Sequence, residues 1–292
     1  EAYPTLYQES AARKTNDKAI NILQGRCVGG STTVNWTSSF RTPSETLAFW
    51  RDRFGLTDLT DDTLAPYFQQ AERRLNVSTW LTPPNENNEL LRRGAAQLGI
   101  PAAAILRNVK GCWNLGSCGM GCPTNAKQSM LLTTVPTALG LGATLVVNTR
   151  ATRLNIQNGR VTSVSAEYVD KKSALSQESI AKSAIEIKCR HVVVAGGAIN
   201  SPALLLRSQA PDPHDRLGIR TFLHPVVMSS ALMAQRVEGW AGAPQTIYSD
   251  HFLGTQAIDG PMGYKLEAPP IHPVIFASSI PGFGEVQSGM LK

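Results

Sequence analysis

The run His191-Val192-Val193-Val194-Ala195-Gly196-Gly197, continuing as Ala198-Ile199-Asn200-Ser201-Pro202-Ala203-Leu204-Leu205-Leu206, constrains the fold more than any other stretch of this chain. Unbroken valine without polar alternation predicts a strand buried on both faces. The Ala-Gly-Gly that ends it predicts a tight turn, and Ser201-Pro202 predicts a helix entered at proline with serine as its cap. A buried strand, a glycine turn and a helix form one unit of an open α/β sheet, where ligands sit at the carboxyl ends of the strands. A mixed α/β fold is therefore expected.

A second glycine-rich stretch is Gly25-Arg26-Cys27-Val28-Gly29-Gly30-Ser31-Thr32-Thr33-Val34-Asn35-Trp36. Glycine removes the Cβ that would hold a phosphate or a ring at a distance, and its φ > 0 conformations turn successive N–H groups toward an anion. On spacing alone this is either a cofactor loop or an ordinary glycine loop.

Between and around these stretches the pattern is coarser. Residues 1–20 are polar, contain Pro4 and show no period, so they read as an irregular arm. Pro43-Ser44-Glu45 predicts a helix entry ahead of Leu47 and Trp50, with Thr42 or Ser44 as cap. Leu64, Tyr67, Phe68, Ala71 and Leu75 recur at helical spacing and predict a helix over 62–75. Another is expected over 88–98, ended by Gly99 and Pro101, with the Thr-, Pro- and Asn-rich 77–87 as loop. After a helix expected over 129–139, strands are expected at 143–148, 151–157 and 160–169. The last two are joined by Asn158-Gly159, a two-residue hairpin signal. Beyond the polar stretch with Lys171-Lys172, residues 185–188 alternate as a half-buried strand. His224-Pro225-Val226-Val227 and short segments up to Phe276 also read as β, Gly239 to Pro244 reads as loop, and 279–292 shows no closing element.

A chain of 292 residues with 42% hydrophobic and 17% charged residues has enough apolar material for a real core, which excludes disorder as a class. The net charge of +6 is spread out, densest at Arg73-Arg74, Arg92-Arg93 and Lys171-Lys172, which argues against a dedicated nucleic-acid surface. No apolar run approaches the ~20 residues that span a bilayer, so no transmembrane segment is expected. The expectation is a soluble protein, peripheral to a membrane at most; its compartment is left open, with the cytoplasm favoured. The chain opens on Glu1 without a charged and apolar leader, which is expected of a processed or truncated start.

Three motifs in order make a pattern more specific than any one of them. They are Gly25-x-x-x-Gly29-Gly30-Ser31-Thr32-x-x-Asn35, Gly121-Cys122-Pro123-x-x-Ala126-Lys127-x-Ser129, and Ala195-Gly196-Gly197-Ala198-Ile199-x-Ser201-Pro202-x-x-Leu205-Leu206-x-Ser208 followed by Leu217-Gly218. From about Leu23 to His224 the chain resembles the glucose–methanol–choline (GMC) family of flavoprotein oxidoreductases. The resemblance implies FAD as cofactor and oxidation of a CH–OH donor, an alcohol, polyol or sugar, with hydride passing to the flavin and on to an unknown acceptor. It implies that Gly25, Gly29, Gly30, Ser31 and Thr32 lie along the FAD pyrophosphate and the isoalloxazine edge, with Asn35 and Trp36 nearest the flavin. Ala151 matches a position whose backbone faces the adenine, and Ala195 and Gly196 match the strand end that closes over the dinucleotide. By the same resemblance, residues 1–41 and 140–222 are parts of a Rossmann-like FAD-binding domain. Residues 42–139 are a helical insert covering the cofactor, and 223–292 are the start of an antiparallel substrate-binding sheet.

Two departures qualify the match. The family's opening Gly-x-Gly-x-x-Gly turn, which sets the pyrophosphate on a helix N-terminus, does not occur in the chain. None of His191, His214, His224, His251 and His272 stands in the family's C-terminal catalytic His motif, so no catalytic residue is assigned. The chain is expected to be an internal fragment of a longer enzyme that holds FAD weakly by itself. A nicotinamide-binding Rossmann protein is disfavoured by the missing hexad.

Cys112, Cys118 and Cys122 crowd into one Gly-rich loop, and thiolates suit zinc or iron–sulfur clusters. Some sugar dehydrogenases of the resembling family hold an iron–sulfur cluster at similar spacing, while other members bury a Gly-Cys-Pro cysteine without metal. Three ligands are one short of the usual four. The alternatives are thus a cluster, a zinc, or structural cysteines, and a non-catalytic metal- or partner-binding module is the rival function. Trp50, Trp80, Trp113 and Trp240 read as packing, His224-Pro225 and His272-Pro273 as turns, and Lys127 as a solvated lysine.

Overall fold

The computed structural model describes residues 2–169, 184–254, 258–261, 263–271 and 282–291. The expectations placed on Lys171-Lys172, His272-Pro273 and Phe276 lie outside them. The chain divides into two compact units, Glu1–Ala143 with Leu232–Lys292, and Thr144–Ala231.

The first unit opens with helix α1 (Ala2–Leu6) where an irregular arm was expected, followed by an irregular turn at Gln8–Ala11 in which Glu9, Ser10 and Ala11 all have positive φ. Tyr7 between them is 3% exposed, and its hydroxyl donates to the Gly119 carbonyl at 2.7 Å, so a buried aromatic anchor organises the arm. Helix α2 (Ser44–Phe54) starts after an extended Pro43 and stops at Gly55, φ +66°. Neither Thr42 nor Ser44 caps it; the Ser44 hydroxyl donates instead to Asp61 Oδ1. Helix α3 (Asp61–Arg74) is capped by Thr60, whose hydroxyl accepts the Thr63 N–H while Thr63 returns the bond. Strand β1 (Val77–Thr79) falls inside the expected loop, and helix α4 (Glu86–Gln97) follows with Asn85 as its cap. Strands β2 (Ala103–Ala104) and β3 (Leu106–Asn108) flank Ile105, which is fully buried. Helix α5 (Thr134–Gly140) is shorter than expected because Pro136, having no N–H, fits only in a first turn.

Strand β3 pairs antiparallel with β1. Strand β2 joins a three-stranded antiparallel sheet with β7 (Ile247–Ser249) and β8 (Leu266–Glu267). Asn88 on α4 has no exposed surface, and its Oδ1 accepts the N–H groups of Thr246 and Ile247, tying helix to sheet edge through a satisfied buried amide. Helix α7 (Glu285–Leu291) occupies the region expected to lack a closing element.

In the second unit β4 (Thr149–Gln157), β5 (Arg160–Tyr168) and β6 (Ala184–Lys188) form an antiparallel meander in that order. Asn158 and Gly159 both have positive φ, +51° and +73°, the conformation a two-residue type I′ hairpin demands. Helix α6 (Gly197–Arg207) packs on β4, where the Ser208 hydroxyl accepts the Leu154 N–H at 2.8 Å. This helix begins at Gly197, so Ser201 lies inside it instead of capping it, and Pro202 forgoes one intrahelical bond.

The segments expected as strands at 143–148, 192–194 and 224–227 are not strands. Val193 is 90% exposed and Val227 93%. Valine favours an extended backbone, but a strand exists only where a neighbour completes its ladder. Among the described residues every named ladder is antiparallel and none reaches these segments.

Candidate functional site

The glycine loop of the first unit is built from the inside outward. Gly25 N–H donates to Ser31 Oγ at 2.9 Å, and a Cβ at Gly25 would stand 2.8 Å from the Ser31 backbone, so the loop closes on itself through these two residues. Gly29 and Gly30 follow in the left-handed region, φ +89° and +59°, and lead into a 3-10 turn at Gly30–Thr33. A Cβ at Gly29 would lie 2.8 Å from the Leu131 nitrogen, whereas one at Gly30 would meet nothing within 4 Å. One glycine thus admits the neighbouring backbone, and the other leaves an open face. The hydroxyls turn inward. Thr32 Oγ1 donates to the Gly29 carbonyl and accepts the Met130 N–H at 3.0 Å, and Thr33 Oγ1 donates to the Val28 carbonyl. Asn35 uses its Oδ1 on the Thr37 N–H. Ser31, Thr32 and Asn35 therefore spend polar atoms on the loop's own backbone, while Ser31 and Asn35 stay exposed and Gly30 offers bare backbone beside them.

Two buried cations hold this loop from beneath. Lys127 is 3% exposed, not solvated, and its ammonium donates to three carbonyls, Thr33 at 2.9 Å, Asn35 at 2.6 Å and Cys118 at 2.6 Å. Burial pushes this lysine down to about 8, and the thiols of Cys118 and Cys122 pull the other way. Arg107 on β3 is 1% exposed; its guanidinium donates to the Trp36 carbonyl, Thr37 Oγ1 and the Pro244 carbonyl, and stacks over Trp80. Burial lowers its pKa as well. A guanidinium's five donors suit a crossing of several chain segments, and an ammonium's three suit a knot of carbonyls. The sequence reading missed Arg107 and Tyr7 entirely. The available signal for Arg107 was a lone cation beside Ile105 in a short apolar run.

The cysteine loop lies across the same residues. Cys118 Sγ accepts from Arg107 at 3.7 Å, Cys122 Sγ accepts the Lys127 N–H at 3.4 Å, and Cys112 Sγ accepts the Asn114 N–H at 3.4 Å. Burial raises the Cys118 thiol pKa against the pull of Arg107 and Lys127. At Cys122 burial also pushes upward, but the surrounding N–H and hydroxyl donors of Lys127, Thr124 and Ala126 outweigh it and the net shift is downward. Among the described residues no group of three or more His, Cys, Asp or Glu side chains is placed to hold a metal ion. The cluster reading of Cys112, Cys118 and Cys122 thus gains no support, and each sulfur accepts from a different donor, as structural cysteines do.

Glycines also bring this loop against Trp36. A Cβ at Gly119 would overlap the Trp36 ring, and one at Gly116 would lie 2.8 Å from the carbonyls of Trp240 and Gly242. Trp36 and Trp240 line a small cavity of about 40 Å³. Trp113, expected to pack, is 73% exposed, and Trp50 is 37% exposed.

The remaining predicted positions belong to the second unit. Ala151 is exposed on β4, opposite Ala166 and beside a register shift. Ala195 and Gly196 are exposed immediately before α6, with Gly196 as its N-cap and Gly197 at φ +82°. The structure thus brings Gly25 through Trp36 together with the Cys112–Ser129 segment, and places Ala151 on β4 and Ala195 and Gly196 just ahead of α6.

Comparison with known proteins matches residues 3–226 to the family model described as GMC oxidoreductase. A GMC-type oxidoreductase of Mycobacterium tuberculosis is 32% identical over 284 residues, covering 97% of this chain and 42% of that protein. A GMC-type oxidoreductase of Sinorhizobium fredii is 30% identical over 241 residues, 82% of this chain and 46% of its own length. A long-chain-alcohol oxidase of Arabidopsis thaliana is 24% identical, covering 94% and 37%. The crystal structure of a pyridoxine 4-oxidase gives a TM-score of 0.45 at 18% identity, over 64% of this chain and 37% of that one. The chain spans less than half the length of these relatives. Among the described residues no helix is long and apolar enough to cross a membrane. With a family model over most of its length and relatives that align along nearly all of it, the chain belongs to the GMC oxidoreductase family.

Proposed function

We propose that this chain is part of an FAD-dependent oxidoreductase acting on the CH–OH group of a small-molecule donor. The observation that carries the reading is the Gly29-Gly30 turn. Its inward side is fixed by Leu131, Met130 and Lys127, and its outward side, at Gly30, is bare backbone with nothing within 4 Å of where a Cβ would stand. That is a cradle a dinucleotide can approach without meeting a side chain. Bound FAD would supply the acceptor for the hydride leaving the donor carbon.

The chain's own residues bind and orient. Gly25, Gly29, Gly30, Ser31 and Thr32 set the loop's backbone, and Lys127 and Arg107 lock the carbonyls of Thr33, Asn35 and Trp36 so that the opposite side of the chain faces the ligand. Asn35 and Trp36 are proposed to stand nearest the flavin. For Ala151, Ala195 and Gly196 the proposal is backbone contact with the adenine and the dinucleotide. Residues 1–41 and 140–222 are proposed as parts of the FAD-binding domain, 42–139 as its cover and 223–292 as the start of the substrate sheet. The relatives whose names include long-chain-alcohol oxidase and 2-methyl-1,2-propanediol dehydrogenase support an alcohol as donor.

The test is a titration of FAD with the purified chain, read by flavin fluorescence, beside the variant Gly30→Val. A side chain there fills the open face and forces a β-branched residue to φ +59°. Saturable quenching that Gly30→Val weakens about tenfold or more is expected. Quenching that never saturates, or that Gly30→Val leaves unchanged, overturns the reading.

A further inference from the structure

The turn at 122–127 gathers hydrogen-bond donors on one sulfur. Cys122 and Asn125 lie in the left-handed region, φ +48° and +55°, and the Asn125 N–H closes the turn on the Cys122 carbonyl at 3.0 Å. Pro123, with its fixed φ, suits the turn's second position. The backbone N–H groups of Thr124, Ala126 and Lys127 converge on Cys122 Sγ, that of Lys127 at 3.4 Å, and the Thr124 hydroxyl stands 3.8 Å away. Donors aimed at a sulfur favour its thiolate over its thiol. Burial pushes the Cys122 thiol up, but these donors outweigh it and the net shift is down. Cys27 is the contrast: its sulfur donates to the Gly30 carbonyl at 3.6 Å, an acceptor that holds the proton in place, and burial raises its pKa. Cys122 is half-buried and followed by the exposed Pro123, so a small reagent can reach it.

A second thiol lies across the preceding turn. The Gly121 N–H returns to the Cys118 carbonyl at 3.4 Å and the Cys122 N–H to the Ser117 carbonyl at 3.5 Å, so the chain folds back and sets Cys122 beside Cys118. Cys112 and Cys122 both act electrostatically on Cys118, which puts the three sulfurs in one neighbourhood. The charged groups facing them are Arg107, which donates to Cys118 Sγ at 3.7 Å, and Lys127, whose ammonium donates to the Cys118 carbonyl at 2.6 Å.

We propose that Cys122 is a site of oxidative modification by hydrogen peroxide, with Cys118 as the thiol that resolves it to a disulfide. In the first step the Cys122 thiolate forms an S–O bond as the peroxide O–O bond breaks. The sulfur gives up two electrons to become a sulfenic acid, and the departing oxygen leaves as hydroxide. In the second step the Cys118 sulfur displaces the hydroxyl group from Cys122. An S–S bond replaces the S–O bond, and the Cys118 proton leaves with the hydroxyl as water. The new bond spans a turn whose Cys118 carbonyl holds the Lys127 ammonium and whose Gly119 packs against the Trp36 ring, so the modification falls directly beneath the glycine loop. It depends on the thiols alone and is independent of the flavin reading.

The test treats the reduced full chain with limiting hydrogen peroxide at neutral pH and maps its five cysteines by mass spectrometry after alkylation of the thiols that remain. A disulfide between Cys118 and Cys122 is expected, reversed by dithiothreitol. In Cys118→Ser the sulfenic acid has lost its resolving partner, and dimedone is expected to capture it at Cys122 about tenfold faster than at any other thiol. Unfolding the wild-type chain in urea removes the preference for Cys122, because the converging N–H groups exist only in the fold. Oxidation spread evenly over the five thiols, a preference that survives in urea, or a folded chain whose Cys122 stays reduced overturns the proposal. The wild-type map decides the matter even if Cys118→Ser folds poorly.

Discussion

Lys127 shows how one side chain can hold a loop that its neighbours in sequence cannot. Its ammonium gathers carbonyls 94, 92 and 9 residues away, and the groups that face it are Arg107, Cys27, Cys118 and Cys122. Its folded pKa, pushed by burial to about 8, lies below the 10.5 of a free lysine. Between those values the unfolded chain binds more protons than the folded one, so stability from this residue rises as pH climbs from about 8 to about 10.5 and is flat below. Urea unfolding of wild type and Lys127→Met across that range is expected to show wild type gaining up to about 3 kcal/mol on the variant. A difference that stays constant with pH would assign the proton elsewhere. The residue was visible in the sequence only as part of a resembling motif. Its burial was not, because a lysine's partners here are backbone carbonyls, which leave no mark in composition or period.

At the level of elements, what was legible followed what is local. Helices α2, α3 and α4 and the Asn158-Gly159 hairpin are set by caps, spacing and turn residues within a few positions, and each formed close to where it was expected. The valine segment at 192–194 and the segment at 143–148 failed because strand identity depends on a partner, which no local pattern encodes. The cysteine loop sharpens the same point for glycine, where one chemical change has opposite signs at two sites. Gly119→Ala drives a methyl group into the Trp36 ring and is expected to cost roughly 1–3 kcal/mol in chemical denaturation. Gly94→Ala, within α4 with nothing in the way, is expected to stabilise by about 0.5–1 kcal/mol. Equal effects of the two would deny the close packing of loop on ring.

For the molecule as a whole, the second unit leaves much apolar surface uncovered, with Val193, Phe222 and Val227 each at least 85% exposed. Extended, unpaired and apolar chain is a template for association. Light scattering of the purified chain is expected to rise with concentration. Val193→Lys with Val227→Lys should suppress that rise while changing stability by no more than about 0.5 kcal/mol, as befits exposed positions; undiminished association would place the contact elsewhere. Family membership and the two glycine stretches were readable from the sequence because they are contiguous motifs. The buried cations that fix the candidate site were not, because their partners lie far along the chain. Arg107 carries a last consequence, in the order of events during synthesis. Its guanidinium is sealed only when Trp36 and Thr37, about 70 residues earlier, and Pro244, 137 residues later, have both arrived. A nascent chain leaving the ribosome must therefore carry this arginine without its Pro244 acceptor through the whole emergence of the second unit, while Lys127 is already in hand to gather the carbonyls of Thr33 and Asn35. The first unit is closed only after the second has been made.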